Sequence, residues 1–241
     1  MTTGKKILDI ETIHRNVNGG WLRPAVFGAM DGLVSNFALM IGVAGGSQAV
    51  GAENTTAIVL AGFAGLLAGA FSMAAGEYTS VASQAELAQA EIDLERKEIA
   101  EDLELEIKEL AKVWINRGVS EDVANKFSEE LSKNEDYFLN AHTSEEFGVT
   151  QHDLPSANLA AVSSFLAFSV GAIIPLLPYM LGQTEITYSL ILSLTGLFAA
   201  GSVVSLVTTR TWWYSGLRQL FIGSGAAGFT WLLGSVIGAA L

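Results

Sequence analysis

The sequence contains no cysteine among its 241 residues. This absence excludes disulfide bonds, thiolate metal sites and catalysis by a thiol. A Walker phosphate loop, a Gly-x-Ser-x-Gly motif and a His-Glu-x-x-His motif are also missing, which argues against several large hydrolase classes. A di-iron ferroxidase would need two Glu-x-x-His motifs in one helical bundle. The chain has one, from Glu11 to His14, so a ferroxidase is disfavoured.

Charged residues are absent from five long stretches of the chain, although it has 38 Asp, Glu, Lys and Arg residues in all. These stretches are 32–52, 54–76, 154–184, 186–209 and 219–241. Each is at least 21 residues long, and about 20 apolar residues suffice for a helix to cross a bilayer. The mean hydropathy of the whole chain, +0.40, agrees with this interpretation. The sequence therefore predicts an all-α membrane protein with five transmembrane helices.

Lysine and arginine are scarce, with 13 bases against 25 acids and a net charge of −12. Residues 86–153 hold 19 of the acids and 7 of the bases, so the whole excess lies between the second and third spans. The sequence thus predicts four regions, namely an amphipathic arm at 1–23, spans one and two at 24–81, an acidic domain at 82–150, and spans three to five at 151–241. Such an acidic surface argues against nucleic acid and anionic lipid as partners.

The positions of the bases predict the orientation in the membrane. If the amino terminus is cytoplasmic, all 13 bases fall on the cytoplasmic side of a five-span chain. This satisfies the positive-inside rule and places the arm and the acidic domain in the cytoplasm. The short termini are typical of a protein of a prokaryotic cell membrane, and a vacuolar membrane is the counterpart in a eukaryote.

Glycine and proline predict where the helices end. No glycine or proline occurs between Glu77 and Arg117, so the second span is predicted to continue as one helix to Arg117. Two further helices are expected at about 120–133, capped by Ser120, and at about 134–147. The prolines at 175 and 178 should break the outer end of the third span. Small residues such as Gly28 and Gly32 should allow close helix packing and are candidates for a dimer contact.

An acidic stripe follows the second span. Its six members fall within about 80° of arc if one straight helix carries them all. They are Glu91, Glu95, Glu98, Asp102, Glu106 and Glu109. Like charges at this spacing repel one another, and clustered carboxylates suit divalent cations. An apolar seam of the same helix, including Ile92, Ile99 and Leu103, borders the stripe. A solvated acidic helix face is the alternative explanation.

Candidate metal ligands also lie in or beside the spans. Asp31 in the first span, and Met73 and Glu77 in the second, should reach a similar depth because the two helices run in opposite directions. Ionisable groups inside a membrane are costly and suggest an ion pathway, whereas a structural acid and plain methionine packing are the alternatives. His142 and Glu146 share a helix face four residues apart, and the histidine could be a nitrogen ligand.

At these residues the chain resembles the vacuolar iron transporter family. The matching stretches are DGLVSN (31–36), AGAFSMAAGEYTSVASQ (68–84), GAIIPLLPY (171–179), and the acidic segments 83–110 and 117–131. The resemblance implies a homodimer of five-span subunits with a cytosolic three-helix metal-binding domain. It implies transport of ferrous iron, often also manganese, out of the cytosol in exchange for protons, without a permanently bound cofactor.

The family resemblance also implies site residues. The metal ligands of the cytosolic domain would be Glu95, Glu98, Glu106, Glu109 and Glu146, and those of the pore Asp31, Met73 and Glu77. The chain departs from the family at two paired methionines, which fall at His142 and Thr143. Carboxylate, imidazole and thioether ligands suit Fe²⁺, Mn²⁺, Co²⁺ and Zn²⁺. The rival functions are a metal-gated cation channel and a membrane-anchored metal-sensing module without transport.

Overall fold

The computed structural model describes residues 21–51, 54–149, 154–205 and 210–240, and these contain helices and no strand. Two compact units divide the chain. The membrane unit comprises residues 20–80 and 157–241, and the acidic unit comprises Val81–Ser156. The predicted amphipathic arm and the Glu11–His14 motif lie outside the described residues. The prediction of an all-helical protein is confirmed.

Five helices of the described residues are long and apolar enough to cross a membrane, as predicted. They are α1 (Leu22–Ala49), α2 (Thr55–Glu101), α6 (Ala157–Ile173) with its extension to Met180, α8 (Ile186–Val204) and α9 (Trp212–Ala240). The fifth span begins at Trp212, seven residues before the uncharged stretch 219–241.

The third span is broken where the sequence predicts it. After α6, the chain forms a 3₁₀ turn at Ile174–Leu176 and then the short helix α7 at Leu177–Met180. Pro175 and Pro178 each lie in the first turn of these elements. Proline supplies no backbone N–H and clashes with the preceding helical turn, so the α-helix cannot run through unchanged.

Helix α1 packs closely against α6 and α9. A Cβ atom at Gly32 would lie 2.2 Å from the Phe168 carbonyl oxygen of α6, and one at Gly234 of α9 would lie 2.0 Å from the Gly42 carbonyl oxygen. Only glycine permits backbones to approach this closely. Gly28 makes the same kind of contact with Ser164 of α6. The predicted close packing is confirmed. This glycine face of the first span is covered within the chain and is not free for a dimer contact, and the homodimer itself stays a prediction.

The acidic unit consists of the last part of α2 with α3 (Leu103–Asn116), α4 (Glu121–Leu131) and α5 (Glu135–Glu146). A small hydrophobic core holds it together, with Ile92, Ile99, Leu110, Phe138 and Leu139 buried. Glycines with positive φ follow two of its helices, Gly118 at 95° and Gly148 at 69°. Both stops were predicted, because glycine adopts this backbone conformation without steric cost.

The helix that carries the acidic stripe is not continuous, contrary to the prediction. It ends at Glu101, and Asp102 has non-helical backbone angles, φ −146° and ψ 74°. Its side chain accepts a hydrogen bond from the Leu105 N–H at 3.1 Å and caps α3. A short acidic side chain competes for backbone N–H groups in this way and needs no glycine or proline to break a helix.

Two finer predictions on the acidic unit were also wrong. Leu103 does not join the apolar seam and is 43% exposed, because the break at Asp102 turns the start of α3 away from the core. Ser120 occupies the N-cap position of α4, but its side chain makes no capping hydrogen bond. Asn134 does cap α5, since its side chain accepts from the Tyr137 N–H at 3.1 Å.

Candidate metal sites

A histidine lies at the centre of the acidic unit. His142 of α5 is fully buried, with its ring edge-on to Phe138 at 4.7 Å between centroids. Its Nε2 lies 3.0 Å from the backbone carbonyl oxygen of Glu106 on α3. A carbonyl can only accept, so Nε2 carries the hydrogen, and in the neutral ring Nδ1 has a free lone pair. Metal-binding histidines are commonly oriented by such a bond from their second nitrogen.

The free nitrogen of His142 faces three carboxylates. It lies 2.9 Å from Glu95 Oε1, 3.8 Å from Glu106 Oε2 and 3.9 Å from Glu146 Oε1. Neither His142 Nδ1 nor Glu95 Oε1 has a hydrogen-bond partner within the described residues. Two lone pairs at 2.9 Å repel each other unless a cation lies between them. The pair therefore needs either a shared proton or a metal ion.

The carboxylate–histidine cluster is defined here as Glu95, Glu106, His142 and Glu146. Glu95, His142 and Glu146 each offer a ligand atom within 4.8 Å of the others. The break at Asp102 helps to assemble the cluster, because Glu95 ends up on α2 and Glu106 on α3. One straight helix would hold these two carboxylates about 16 Å apart along its axis.

The remaining acids of the predicted stripe have different environments. Glu98 and Glu109 are exposed, yet their charges raise the pKa of Glu95, so both lie at the rim of the cluster. Asp102 is occupied as the cap of α3. On α5, Glu145 pairs with Arg117 and leaves Glu146 to the cluster. Glu91 is not among the acids whose charge acts on Glu95.

Burial and mutual repulsion shift the protonation of the cluster. The pKa of Glu95 rises from 4.5 to about 7, first because of burial and then because of the charges of Glu146 and Glu106. Burial also raises the pKa of Glu106 and that of Glu146, with further contributions from the rim acids. Burial lowers the pKa of His142. Near neutral pH the cluster thus holds a neutral imidazole and a carboxyl that readily exchanges its proton.

Metal binding at the cluster should therefore weaken in acid. A divalent ion competes with the Glu95 proton, whose pKa is about 7. For one competing proton, the affinity should fall by about tenfold between pH 8 and pH 6. Calorimetry of the purified full-length protein with Mn²⁺, in buffers of different ionisation enthalpy, should also show proton release at pH 6.5. An affinity that is constant over this range would contradict the assignment.

Thr143, at the second methionine position of the family pattern, does not extend the cluster. It is buried, and its hydroxyl donates to the Asn140 carbonyl oxygen within α5 at 3.5 Å. The cluster therefore has one neutral nitrogen ligand where the resemblance implies two sulfurs. This donor set is harder than one that contains thioethers.

The membrane unit contains a cleft of about 520 Å³, which brings together the three pore residues predicted from the sequence. Asp31 lies on its α1 side, and Met73 and Glu77 lie on its α2 side. The other lining residues are Phe27, Ser35, Asn36, Leu39, Gly65, Gly69, Ser72, Gly76, Ser80 and Phe168. All three groups line this cleft, as expected from their similar predicted depth on the two helices. Their role as metal ligands remains a prediction.

The sequence reasoning missed Asn36, a buried polar residue of the first span that lines the same cleft. Its signal was present, since it is the last residue of the DGLVSN stretch and an amide inside an apolar run. An amide carries no charge, so the cost of burying an ionised group does not mark it as part of a pathway.

The fold and these sites define the class, which is a multi-pass α-helical membrane protein with a carboxylate-rich candidate metal site. The sequence profile of the VIT family matches residues 22–235. The chain therefore belongs to the VIT family, and the resemblance stated above is confirmed.

Sequence similarity to known proteins supports membership of the VIT family. The chain is 28% identical over 234 residues to vacuolar iron transporter 1 of Arabidopsis thaliana, covering 96% of this chain and 92% of that protein. It is 32% identical over 244 residues to the vacuolar iron transporter of Plasmodium falciparum, covering 95% and 87%. It is also 32% identical over 167 residues to the vacuolar iron transporter of Acanthamoeba castellanii, covering 68% and 58%.

Proposed function

We propose that this protein is a transition-metal transporter that moves Fe²⁺ out of the cytosol in exchange for protons, with Mn²⁺ as a second substrate. The single observation that carries the proposal is the pair of unpartnered lone-pair atoms, His142 Nδ1 and Glu95 Oε1, 2.9 Å apart in a buried cluster of acids. Membership of the VIT family and the names of the relatives support metal transport as the activity.

The ligand set favours transition metals over Mg²⁺ and Ca²⁺. The two hard ions prefer oxygen ligands alone, whereas an imidazole nitrogen suits first-row transition metals. The hydrogen bond from His142 Nε2 to the Glu106 carbonyl oxygen leaves Nδ1 as the nitrogen that can bind a metal. Fe²⁺ and Mn²⁺ are proposed as cargo, and Zn²⁺ and Co²⁺ fit the same ligands. The metal is thus a transported substrate, and the proposal includes no permanently bound cofactor.

Exchange with protons follows from competition for the same atoms. An ion that enters the cluster displaces the proton of Glu95, because metal binding requires the ionised carboxylate. In the membrane cleft, Asp31, Met73 and Glu77 would then bind the partly dehydrated ion. Protons from the opposite side of the membrane would take over these carboxylates and release the metal there. Met73 supplies a thioether, a ligand suited to softer ions than Mg²⁺ or Ca²⁺.

The proposal includes an orientation and an assembly. The amino terminus and the acidic unit face the cytoplasm, which the distribution of the 13 bases supports. The membrane is the cell membrane of a prokaryote, or the vacuolar membrane in a eukaryote. A homodimer with the ion pathway near its axis is the proposed assembly. The membrane cleft is bordered on one side by α2, and few residues in the membrane part of this helix are buried within the chain, which leaves its surface open to a second subunit.

Transport by reconstituted protein tests the exchange. Full-length protein in liposomes should take up Fe²⁺, kept reduced under anaerobic conditions, several-fold faster when the lumen is one pH unit more acidic than the outside. A protonophore should remove the acceleration, and protein-free liposomes should show no uptake. Equal Fe²⁺ flux with and without the pH gradient would contradict antiport and favour the metal-gated channel.

A further inference from the structure

Asn36 is a buried amide in the first span, and only one end of its side chain forms a hydrogen bond within the described residues. Its side chain is 1% exposed. Nδ2 donates a hydrogen bond to the Ala172 carbonyl oxygen of α6 at 2.6 Å. Because a carbonyl cannot donate, this bond determines which end of the amide is nitrogen and which is oxygen. The remaining atom, Oδ1, is buried and has no hydrogen-bond partner in the described part of the chain.

An unpartnered amide oxygen is costly at this position. The hydrocarbon region of a membrane offers no water to satisfy it, so a buried carbonyl without a partner is disfavoured. An apolar side chain would pack against α6 without this cost. In a transport protein, a buried polar atom that has no hydrogen-bond partner in one state indicates a ligand that binds to it in another state and then leaves.

The position of Asn36 indicates what that partner is. Asn36 lines the same cleft as Asp31, Met73 and Glu77. It is five residues after Asp31, which corresponds to about 7.5 Å along the axis of α1. Across the cleft, α2 has a glycine at position 65, where an added Cβ would lie 2.9 Å from Oδ1. Gly65 therefore lies directly against the buried oxygen, and a side chain at this position would cover it.

We propose that Asn36 Oδ1 is a further ligand for the transported ion, next after the Asp31 carboxylate. This inference rests on the proposed function, since it names a ligand of the same pathway. An amide oxygen completes the coordination of a dehydrated ion without adding charge. A neutral ligand binds the ion more weakly than a carboxylate does, which allows the ion to move on, as conduction requires.

Exchanging the donor atom at position 36 tests this directly. Asn36→Cys places a sulfur where the hard oxygen was, in a chain that has no other cysteine. Thiolate and thiol ligands favour soft ions, so Mn²⁺ uptake into liposomes should fall while Cd²⁺ uptake is retained. The ratio of Cd²⁺ to Mn²⁺ transport should rise by about tenfold or more over the wild type. A role confined to the bond with Ala172 would lower both ions by the same factor.

A second variant keeps Asn36 and blocks its oxygen. Gly65→Ala adds a methyl group 2.9 Å from Oδ1 and 2.5 Å from Leu39 Cδ2, the flexible end of a side chain. It leaves the residues of the bond between Asn36 and Ala172 in place and should reduce Mn²⁺ transport at least tenfold. Gly62→Ala is the matched control, because its methyl group also meets side-chain ends, Leu176 Cδ2 at 2.7 Å and Met40 Sδ at 2.9 Å, but Gly62 does not line the cleft. It should transport as the wild type does.

The possible results separate the two proposals. If the wild type carries neither Mn²⁺ nor Cd²⁺, and no Fe²⁺ in the same liposomes, the proposed function itself is wrong. If the wild type transports, but Asn36→Cys leaves the Cd²⁺ to Mn²⁺ ratio unchanged and Gly65→Ala matches Gly62→Ala, only the assignment of Asn36 is overturned. Should the cysteine variant fail to fold, the comparison of the two alanine variants decides alone.

Discussion

Replacing Asp31 by asparagine should abolish metal flux while the cluster in the acidic unit continues to bind metal. Asp31 is the one acid of the described first span and lines the membrane cleft with Met73 and Glu77. Asparagine keeps the shape of the side chain but removes the negative charge that would bind a dehydrated cation. A loss of about 3 kcal/mol of ion binding corresponds to a flux reduction of roughly a hundredfold.

The measurement combines Mn²⁺ uptake into liposomes with calorimetry of the same purified variant. Glu185→Gln is the matched control, since Glu185 is an exposed acid before α8 that neither lines the cleft nor caps the helix. It should transport at the wild-type rate. Undiminished flux in Asp31→Asn would exclude Asp31 from the pathway, and absence of flux in the wild type as well would favour a sensing module.

Replacing Glu95 by glutamine should have two opposite effects on the acidic unit. The metal-free unit should become more stable at pH 8, because ionised Glu95 is held in a buried site that raises its pKa to about 7 from 4.5. That shift corresponds to about 3 kcal/mol of unfavourable free energy in the ionised state. Glutamine carries no charge, and its amide can donate to the neighbouring carboxylates, so the repulsion is replaced by attraction.

The sign of the pH dependence follows from the raised pKa. In the wild type, the favourable contribution of neutral Glu95 is fully present below pH 4.5, falls between pH 4.5 and about 7, and is lost above. The advantage of Glu95→Gln should therefore be small at pH 4.5 and largest at pH 8. Hydrogen exchange of the α5 amides in the full-length, metal-free protein reports this local stability. Equal protection in both proteins at pH 8 would contradict the prediction.

The same substitution should weaken metal binding. Glu95 Oε1 is the closest ligand atom to His142 Nδ1, at 2.9 Å, and loss of a charged ligand should reduce the affinity by at least tenfold, or about 1.4 kcal/mol. Glu91→Gln is the matched control, one helical turn earlier on α2, where the acid does not act on the cluster. It should change neither the metal affinity nor the protection of α5. A variant more stable without metal and poorer at binding it would show that the cluster is built for a cation.

Burial raises the proton affinity of Glu95, and repulsion among the carboxylates of the cluster raises it further. Four elements of the site, three carboxylates and an imidazole, converge from α2, α3 and α5, and the small core around Ile92 and Phe138 holds these helices together. Because the core supplies the stability, the three acids can remain crowded around one histidine. The resulting high proton affinity of Glu95 then makes the cluster responsive to metal near neutral pH.

The sequence determined the parts of this protein that depend on composition and local chemistry. Five uncharged runs of at least 21 residues predicted the five helices that can span a membrane. Pro175 predicted the break in the third span, and Gly118 and Gly148 predicted two helix ends. Each of these rests on a property of the residue itself, such as a missing N–H or a missing Cβ, which acts wherever the residue is placed.

Only the tertiary structure decided how polar groups meet. The break at Asp102 depends on competition between its side chain and the helix backbone, and it brings Glu95 and Glu106 to one histidine. The hydrogen-bonding state of His142 depends on the Glu106 carbonyl, 36 positions away, and the free oxygen of Asn36 depends on Ala172, 136 positions away. Such pairings are set by long-range packing, and no periodicity within a single helix encodes them.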